Sequence, residues 1–396
     1  MLALPILCLL ALASAPPPEV PSSTPSRVLT SLIPSQVTVT GFLSSCFRGA
    51  KPSHDPVVAA DEADRNAPPF VREELDLLRR GDLAPAQSAW HDACATHIYP
   101  TGALAVGETG AAKACETCAV VSWMWLNQAL LESSGDPRYA DLVEKLLWNH
   151  LPALRSADGA VRRYAPLNGP GPSRADPLPD CCATAASRVL ALAPSLIYAT
   201  GPAGIYVNQF CDSSATLKTP RGERLGLDQH TGYPGREDIA LRVRLPVDEK
   251  FTIFVRVPAW SEGPTVRLFY YAPQQATPGT YFAITRTWSD NDIAHLRFPS
   301  SPRWVPGTGP NAGTTALIRG PLVYVATGGA ASGPAAVSTS EVPRRLPAPE
   351  GVLGPFYRVG FRSANGLTTD ATLIPFANLS TIASDEPYAT WLPTAP

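Results

Sequence analysis

The chain has 396 residues, of which 45% are hydrophobic and only 17% charged, with a net charge of -2. That length suits two or three domains with a sizeable core. The lack of a basic excess excludes a phosphate-backbone partner, so no nucleic acid is expected, and 43 prolines argue for turns and extended segments over one long helical bundle.

In chain order, MLALPILCLLALASA (1–15) is an apolar run ending in small residues. It reads as a secretory signal peptide cleaved near Ala15, with a plain apolar helix as the alternative because no Lys or Arg precedes it. The mature chain is then expected outside the cell. No later stretch suits a membrane span, and the sequon Asn378-Leu379-Ser380 is compatible with secretion. Residues 16–67 are rich in Pro, Ser and Ala, with one candidate strand over 36–42. From 68 to 200 the pattern is helical. Segments 70–80 and 83–99 are two candidate helices, and 116–132 is apolar nearly all round, the mark of a buried helix. Asp136-Pro137 supplies an N-cap and a first-turn proline for the next helix, whose apolar face is Tyr139, Leu142, Val143, Leu146 and Leu147. A polar loop follows over 155–180, then a helix from Cys181 interrupted near Pro194. After Gly201 short alternating runs predict a β-sandwich over 201–327, a linker over 328–350, and closing strands over 351–396.

Eight cysteines are present, and without Cys8 of the signal segment seven remain, an odd number that fits a pure disulfide framework poorly. Glu116-Thr117-Cys118 opens one buried helix and Cys181-Cys182 opens another. Helix starts favour thiolates, because free amides and the dipole stabilise negative charge there. Side by side, these two starts would present one carboxylate and three sulfurs, a set zinc accepts. Two alternatives stay open: a four-cysteine structural zinc site from Cys115, Cys118, Cys181 and Cys182, and disulfides.

An ordered series of motifs adds to this. Tyr99-Pro-Thr-Gly102, Gly107-Glu108, Glu116-Thr-Cys118-Ala119, Tyr139-Ala-Asp141, Glu144-Lys-Leu-Leu-Trp-Asn149 and Cys181-Cys182 are followed by Ile205-Tyr-Val-Asn208, Gly232-Tyr-Pro234, Phe254-Val-Arg-Val-Pro-Ala-Trp260, Ile284-Thr-Arg-Thr-Trp288, Arg319-Gly-Pro-Leu-Val-Tyr324 and Leu373-Ile-Pro375. Over residues 85–395 the chain resembles glycoside hydrolase family 127, the β-L-arabinofuranosidase family. The resemblance implies a multidomain α+β chain with a partial (α/α)6-type helical toroid followed by C-terminal β-sandwich domains. It implies zinc held by Glu116, Cys118, Cys181 and Cys182, with Cys181 also the nucleophile and Glu108 the general acid/base. It further implies an arabinose-containing glycan or glycoconjugate as substrate; a homo-oligomer is left open. Tyr164 lies in a segment similar to one that reaches the sugar, and His97 adjoins a matching motif. Both are carried as substrate contacts, against the simpler reading of a core tyrosine and a packed or surface histidine, which also applies to His150.

The chain departs from the family in two respects. Only residues 16–84 stand where the first half of the helical ring lies, and the segment between Glu108 and Glu116 is short. Two rival readings follow: a non-catalytic, zinc-stabilised remnant with a carbohydrate-binding or structural role, and another α/α-toroid sugar-processing enzyme that lacks zinc.

Overall fold

The structure is a computed structural model that describes residues 28–47, 69–104, 115–155, 161–169, 180–333, 335–363, 366–380 and 386–394. The signal-like segment, Glu108, and most of the 16–67 and 155–180 segments lie outside the described residues. Among the described residues, no helix is long and apolar enough to cross a membrane.

The helical part comprises α1 (Gly41–Phe47), α2 (Pro69–Arg79), α3 (Leu83–His97), α4 (Thr117–Ser134), α5 (Pro137–Trp148), α6 (His150–Ala153) and α7 (Asp180–Leu192). The nearly all-round apolar helix is the centre: α2, α3, α5 and α7 all pack on α4, which is why it has no solvated face. Gly135 ends it in the left-handed conformation, φ 72°, with its N–H on the Leu131 carbonyl. Asp136 caps α5 as its sequence predicts, accepting from the Arg138 N–H at 3.0 Å. Trp90 of α3 stacks on Trp123 of α4 and donates to Asn127 Oδ1 at 2.8 Å.

One buried group on α2 works against stability. Glu74 is 2% exposed, and its Oε2 has no hydrogen-bond partner among the described residues. Burial first, and Glu73 second, pushes its pKa from 4.5 to about 8. A carboxyl whose folded pKa is raised costs stability as pH climbs from the unfolded value towards the folded one. Glu74→Gln is therefore expected to melt higher than the parent at pH 8 and equal to it near pH 4.5, measured by thermal unfolding across that range. A variant that melts lower at pH 8 would refute this.

The strands form three sheets. The first has the order β1 (Thr30–Ser31), β4 (Tyr198–Gly201), β5 (Gly204–Val207), β9 (Glu249–Val257) and β12 (Thr280–Trp288). The second has the order β11 (Gln274–Gln275), β10 (Thr265–Leu268), β13 (Ile293–Arg297), β8 (Asp238–Arg244), β7 (Arg224–Thr231), β6 (Ser213–Lys218) and β2 (Val37–Val39). Pairing is antiparallel except between β5 and β9. That parallel pair brings the β5 start so close to Thr252 that a Cβ on Gly204, φ 151°, would lie 2.3 Å from the Thr252 carbonyl oxygen. Alternate residues of β8, Ile239, Leu241 and Val243, enter the core while Asp238, Ala240, Arg242 and Arg244 face out. Tyr198 links the two sheets, its hydroxyl 3.0 Å from Ser213 Oγ and 3.1 Å from Gln229 Nε2.

The third sheet holds β14 (Arg303–Pro306), β15 (Thr314–Arg319), β16 (Leu322–Thr327), β20 (Thr368–Pro375), β19 (Phe356–Arg362) and β17 (Ala336–Val337) along its path. Off that path, β18 (Arg344–Leu346) pairs β19, β22 (Leu392–Pro393) pairs β15, and β21 (Tyr388–Ala389) pairs both β16 and β3 (Asn168–Gly169).

Several local expectations change. The segment 201–327 is shared between sheets, because β15 and β16, with β14 beside β15, pair with strands from the chain's end. The 328–350 connector contributes β17 and β18. The strand expected over 36–42 stops at Val39, since Gly41, φ 67°, turns the chain into α1. The helical region ends sooner than residue 200: α7 stops at Leu192, a 3-10 turn follows, and β4 opens at Tyr198. The sequon's Asn378 is 1% exposed, and its amide is spent on the Leu353 backbone at 2.7 and 3.2 Å.

Candidate metal centre

The start of α4 is shaped by a left-handed residue. Cys115 takes φ 72° and is fully buried. The chain then runs extended through Glu116, φ -65° and ψ 138°, whose side chain makes no capping hydrogen bond. The segment 161–169 clamps this start. Thr117 N–H donates to the Arg163 carbonyl at 2.8 Å, its hydroxyl donates to the Arg162 carbonyl at 2.6 Å, and Ala165 N–H donates to the Cys115 carbonyl at 3.2 Å. Glu116 and Tyr164 form an antiparallel bridge. The clamp is anchored behind by the third sheet: Tyr388 donates to the Pro166 carbonyl, and Asn168 Oδ1 accepts from Thr390 N–H, both at 2.9 Å.

With its carboxylate free of capping, Glu116 turns to the side. Arg163 Nε donates to Glu116 Oε1 at 2.9 Å, and the Cys182 thiol faces the same oxygen at 3.8 Å. The Arg163 guanidinium also sits 4.9 Å from the centre of the Tyr164 ring. The carboxylate of Glu116 and the sulfurs of Cys118 and Cys182 all lie within 4.8 Å of one another. Both cysteines are buried, and Glu116 is half-buried. Each thiol belongs to the first turn of a helix, Cys118 in α4 and Cys182 in α7, where the dipole favours negative charge.

The expected site residues fall out as follows. Glu116, Cys118 and Cys182 are brought together. Cys181 immediately precedes Cys182 in α7, and His97 ends α3; the side chains of both lie outside the description, as does Glu108 altogether. Tyr164 is half-buried beside Glu116. His150 is a packed histidine: it is buried, 2.8 Å from Thr101 Oγ1, against Phe376, and burial pushes its pKa down to about 3. The four-cysteine alternative is not what forms, because Cys115 is not in the cluster and burial holds its thiol well above the usual range. Of the cysteines open to the disulfide alternative, Cys94, Cys115 and Cys211 form none. Arg163 is the residue that the sequence reading passed over. Its neighbour Tyr164 drew notice, but nothing local ties Arg163 to a glutamate 47 residues away.

The donor set fits a metal ion. Two sulfurs and one carboxylate oxygen at these separations can share one small cation, with zinc–sulfur and zinc–oxygen bonds of about 2.3 and 2.0–2.2 Å. Soft thiolates favour zinc or a similar borderline ion over magnesium or calcium.

Fold and cluster together define a class: a helical unit with a carboxylate–thiolate group able to hold a metal ion, followed by β-sheets. The chain belongs to glycoside hydrolase family 127, since residues 58–194 match the β-L-arabinofuranosidase GH127 catalytic domain and residues 204–300 match the GH127 middle domain. It is 25% identical over 283 residues to a non-reducing end β-L-arabinofuranosidase of Bifidobacterium longum, covering 62% of this chain and 42% of that protein. Its fold is similar to a family 127 β-L-arabinofuranosidase of Geobacillus stearothermophilus T6, with a TM-score of 0.72 and 19% identity over 82% of this chain and 59% of that one. A second solved structure, a family 127 β-arabinofuranosidase, gives a TM-score of 0.68 at 23% identity over the same shares. The chain thus spans less than two thirds of the length of each of these relatives.

Proposed function

We propose that this chain carries out retaining hydrolysis of β-L-arabinofuranosides, with Cys181 as nucleophile and Glu108 as acid/base. The observation that supports it most is the convergence of Glu116, Cys118 and Cys182 in a member of family 127. On this reading the helical unit is part of an (α/α)6-type toroid, the sheets form β-sandwich domains, the protein is secreted, and its substrate is an arabinose-containing glycan or glycoconjugate.

Glu116, Cys118, Cys181 and Cys182 would hold zinc, which when bound keeps thiols deprotonated at neutral pH. Cys181 then attacks the anomeric carbon while Glu108 gives its proton to the departing oxygen. The ionised Glu108 next takes a proton from water, whose oxygen displaces the sulfur from the same carbon. Two inversions return the starting configuration, the retaining logic with sulfur in place of the usual carboxylate. Tyr164 and His97 would contact the sugar.

Cys181→Ala is expected to abolish release of arabinose from a small aryl β-L-arabinofuranoside, and to lose the sugar adduct that mass spectrometry would detect on the parent. Near-normal turnover in that variant would overturn the nucleophile. Arg163 orients a ligand carboxylate from outside the ligand set, and partners of this kind typically contribute about 10–100-fold to metal affinity. Arg163→Gln should lower zinc affinity by that order in a chelator competition. Unchanged affinity would mean that Arg163 serves only Tyr164.

A further inference from the structure

The outward face of the second sheet carries a basic pattern that the proposed reaction does not use. Residues directly opposite one another on antiparallel strands share a face. Across β10, β13, β8 and β7 one such row reads Arg267, His295, Ala240, His230. The row beside it reads Thr265, Arg297, Asp238. Ala240 is the smallest side chain between two histidines, so the surface dips there. The result is a groove of about 360 Å³ lined by both rows, with Pro273 at one end.

Its charges are only partly answered. Arg297 has Glu237 at 3.7 Å and Asp238 at 4.0 Å, His230 has Asp212 at 3.8 Å, and further along the face Arg244 holds Asp228 at 2.7 Å. Arg267 has no carboxylate partner among the described residues; its one bond is to the Phe269 carbonyl at 2.9 Å. Arg242, on the same face, has a buried Nε without a hydrogen-bond partner among the described residues. Burial and the nearby Arg267 lower the His295 pKa, leaving a neutral imidazole that can both donate and accept.

At the Pro273 end, the turn after β10 holds two aromatic rings out in water. Tyr270 is 102% and Tyr271 70% exposed. The turn is fixed rather than loose: Phe269 sits at φ 50°, and its ring lies 4.4 Å from the Arg286 guanidinium, which also packs on Trp288.

We infer that this groove binds an acidic glycan, with a uronate carboxylate on Arg267, ring hydroxyls on His295, His230 and Thr265, and sugar C–H faces on Tyr270 and Tyr271. A guanidinium takes a carboxylate bidentately, which an ammonium or a neutral donor cannot do. Hydroxyl-rich rings need donors and acceptors side by side, and the imidazoles and Thr265 supply them. The exposed rings of Tyr270 and Tyr271, in the turn after β10, offer apolar faces for sugar C–H groups. The inference does not depend on the proposed hydrolysis.

The full chain would be titrated calorimetrically with tetragalacturonate, with a neutral galacto-oligosaccharide of equal length, and with dextran sulfate and single-stranded DNA as plain polyanions. Tetragalacturonate should bind best. Its affinity should fall about tenfold or more in Arg267→Ser, the loss expected for one charge-assisted contact, and should also weaken in Tyr271→Ser, while arabinoside hydrolysis stays at the parental level in both. Three results would each overturn the inference: equal binding of the neutral oligosaccharide, equal or tighter binding of the plain polyanions, or parental affinity in both variants.

Discussion

Arg256→Met is expected to destabilise the protein by about 3–5 kcal/mol, the cost of removing one partner from a buried ion pair. Arg256 of β9 is fully buried and pairs with both Asp141 and Glu144 of α5. Its Nε donates to the Asn208 carbonyl at 2.6 Å. Glu144 further accepts from the Tyr233 hydroxyl at 2.6 Å and Trp260 Nε1 at 2.9 Å, so a single network fastens the helical unit to the first sheet. Methionine fills similar space but leaves two carboxylates facing each other in an apolar setting. Even with the guanidinium present, burial holds the Asp141 pKa at about 6 against an ordinary 3.8. Ionising Asp141 therefore costs stability as pH rises through that window, and without Arg256 the upper end of the window moves higher. The deficit of the variant should be larger at pH 8 than at pH 5.5 in denaturant unfolding. A loss below about 1 kcal/mol at pH 8, the size of an exposed pair, would mean that the network does not hold the two parts together.

Much of this was legible in the sequence, and what was not shares a cause. The buried α4 followed from an apolar run with no solvated side, and the α5 start from Asp136-Pro137, because both signals are local. The pairing of Glu116 and Cys118 with Cys182 followed from two helix starts and a family resemblance. Arg163, by contrast, meets Glu116 only through the bridge between Tyr164 and Glu116. The strands β1 and β2 have two and three residues, too few for a periodic signal, and exist because β4 and β6 offer them edges. Nothing local marks Asp141 and Glu144 as partners of Arg256, which β9 brings to them from 115 and 112 residues away. That the Leu353 segment buries Asn378 is likewise not written in the three residues of its sequon. The allotment of strands to sheets was hidden too, since the strands that pair with β15 and β16 come from the far end of the chain.

Cys182→Ala tests the metal centre through folding rather than catalysis. Cys182 is fully buried in α7 and Cys118 is buried in α4, so an ion held by both would cross-link two helices that also meet where Arg188 of α7 packs over the Trp125 ring of α4. Structural zinc bound by thiolates can contribute about 10–16 kcal/mol of apparent binding free energy in small peptides, and loss of a thiolate from such a set forfeits a large part of it. The variant should therefore retain little zinc after dialysis and melt several degrees lower, at about 2–4 °C per kcal/mol for domains of 150–250 residues. A chelator should lower the parental melting temperature towards that of the variant and leave the variant unmoved, because a ligand that binds only the folded state stabilises by mass action. The size of the shift separates two cases. A large one makes the ion a structural cross-link as well as a source of reactive thiolate. A parental protein that binds zinc yet melts the same with and without it would confine the ion to chemistry. A variant with parental zinc content would remove Cys182 from the ligand set, and with it the centre formed by Glu116, Cys118 and Cys182.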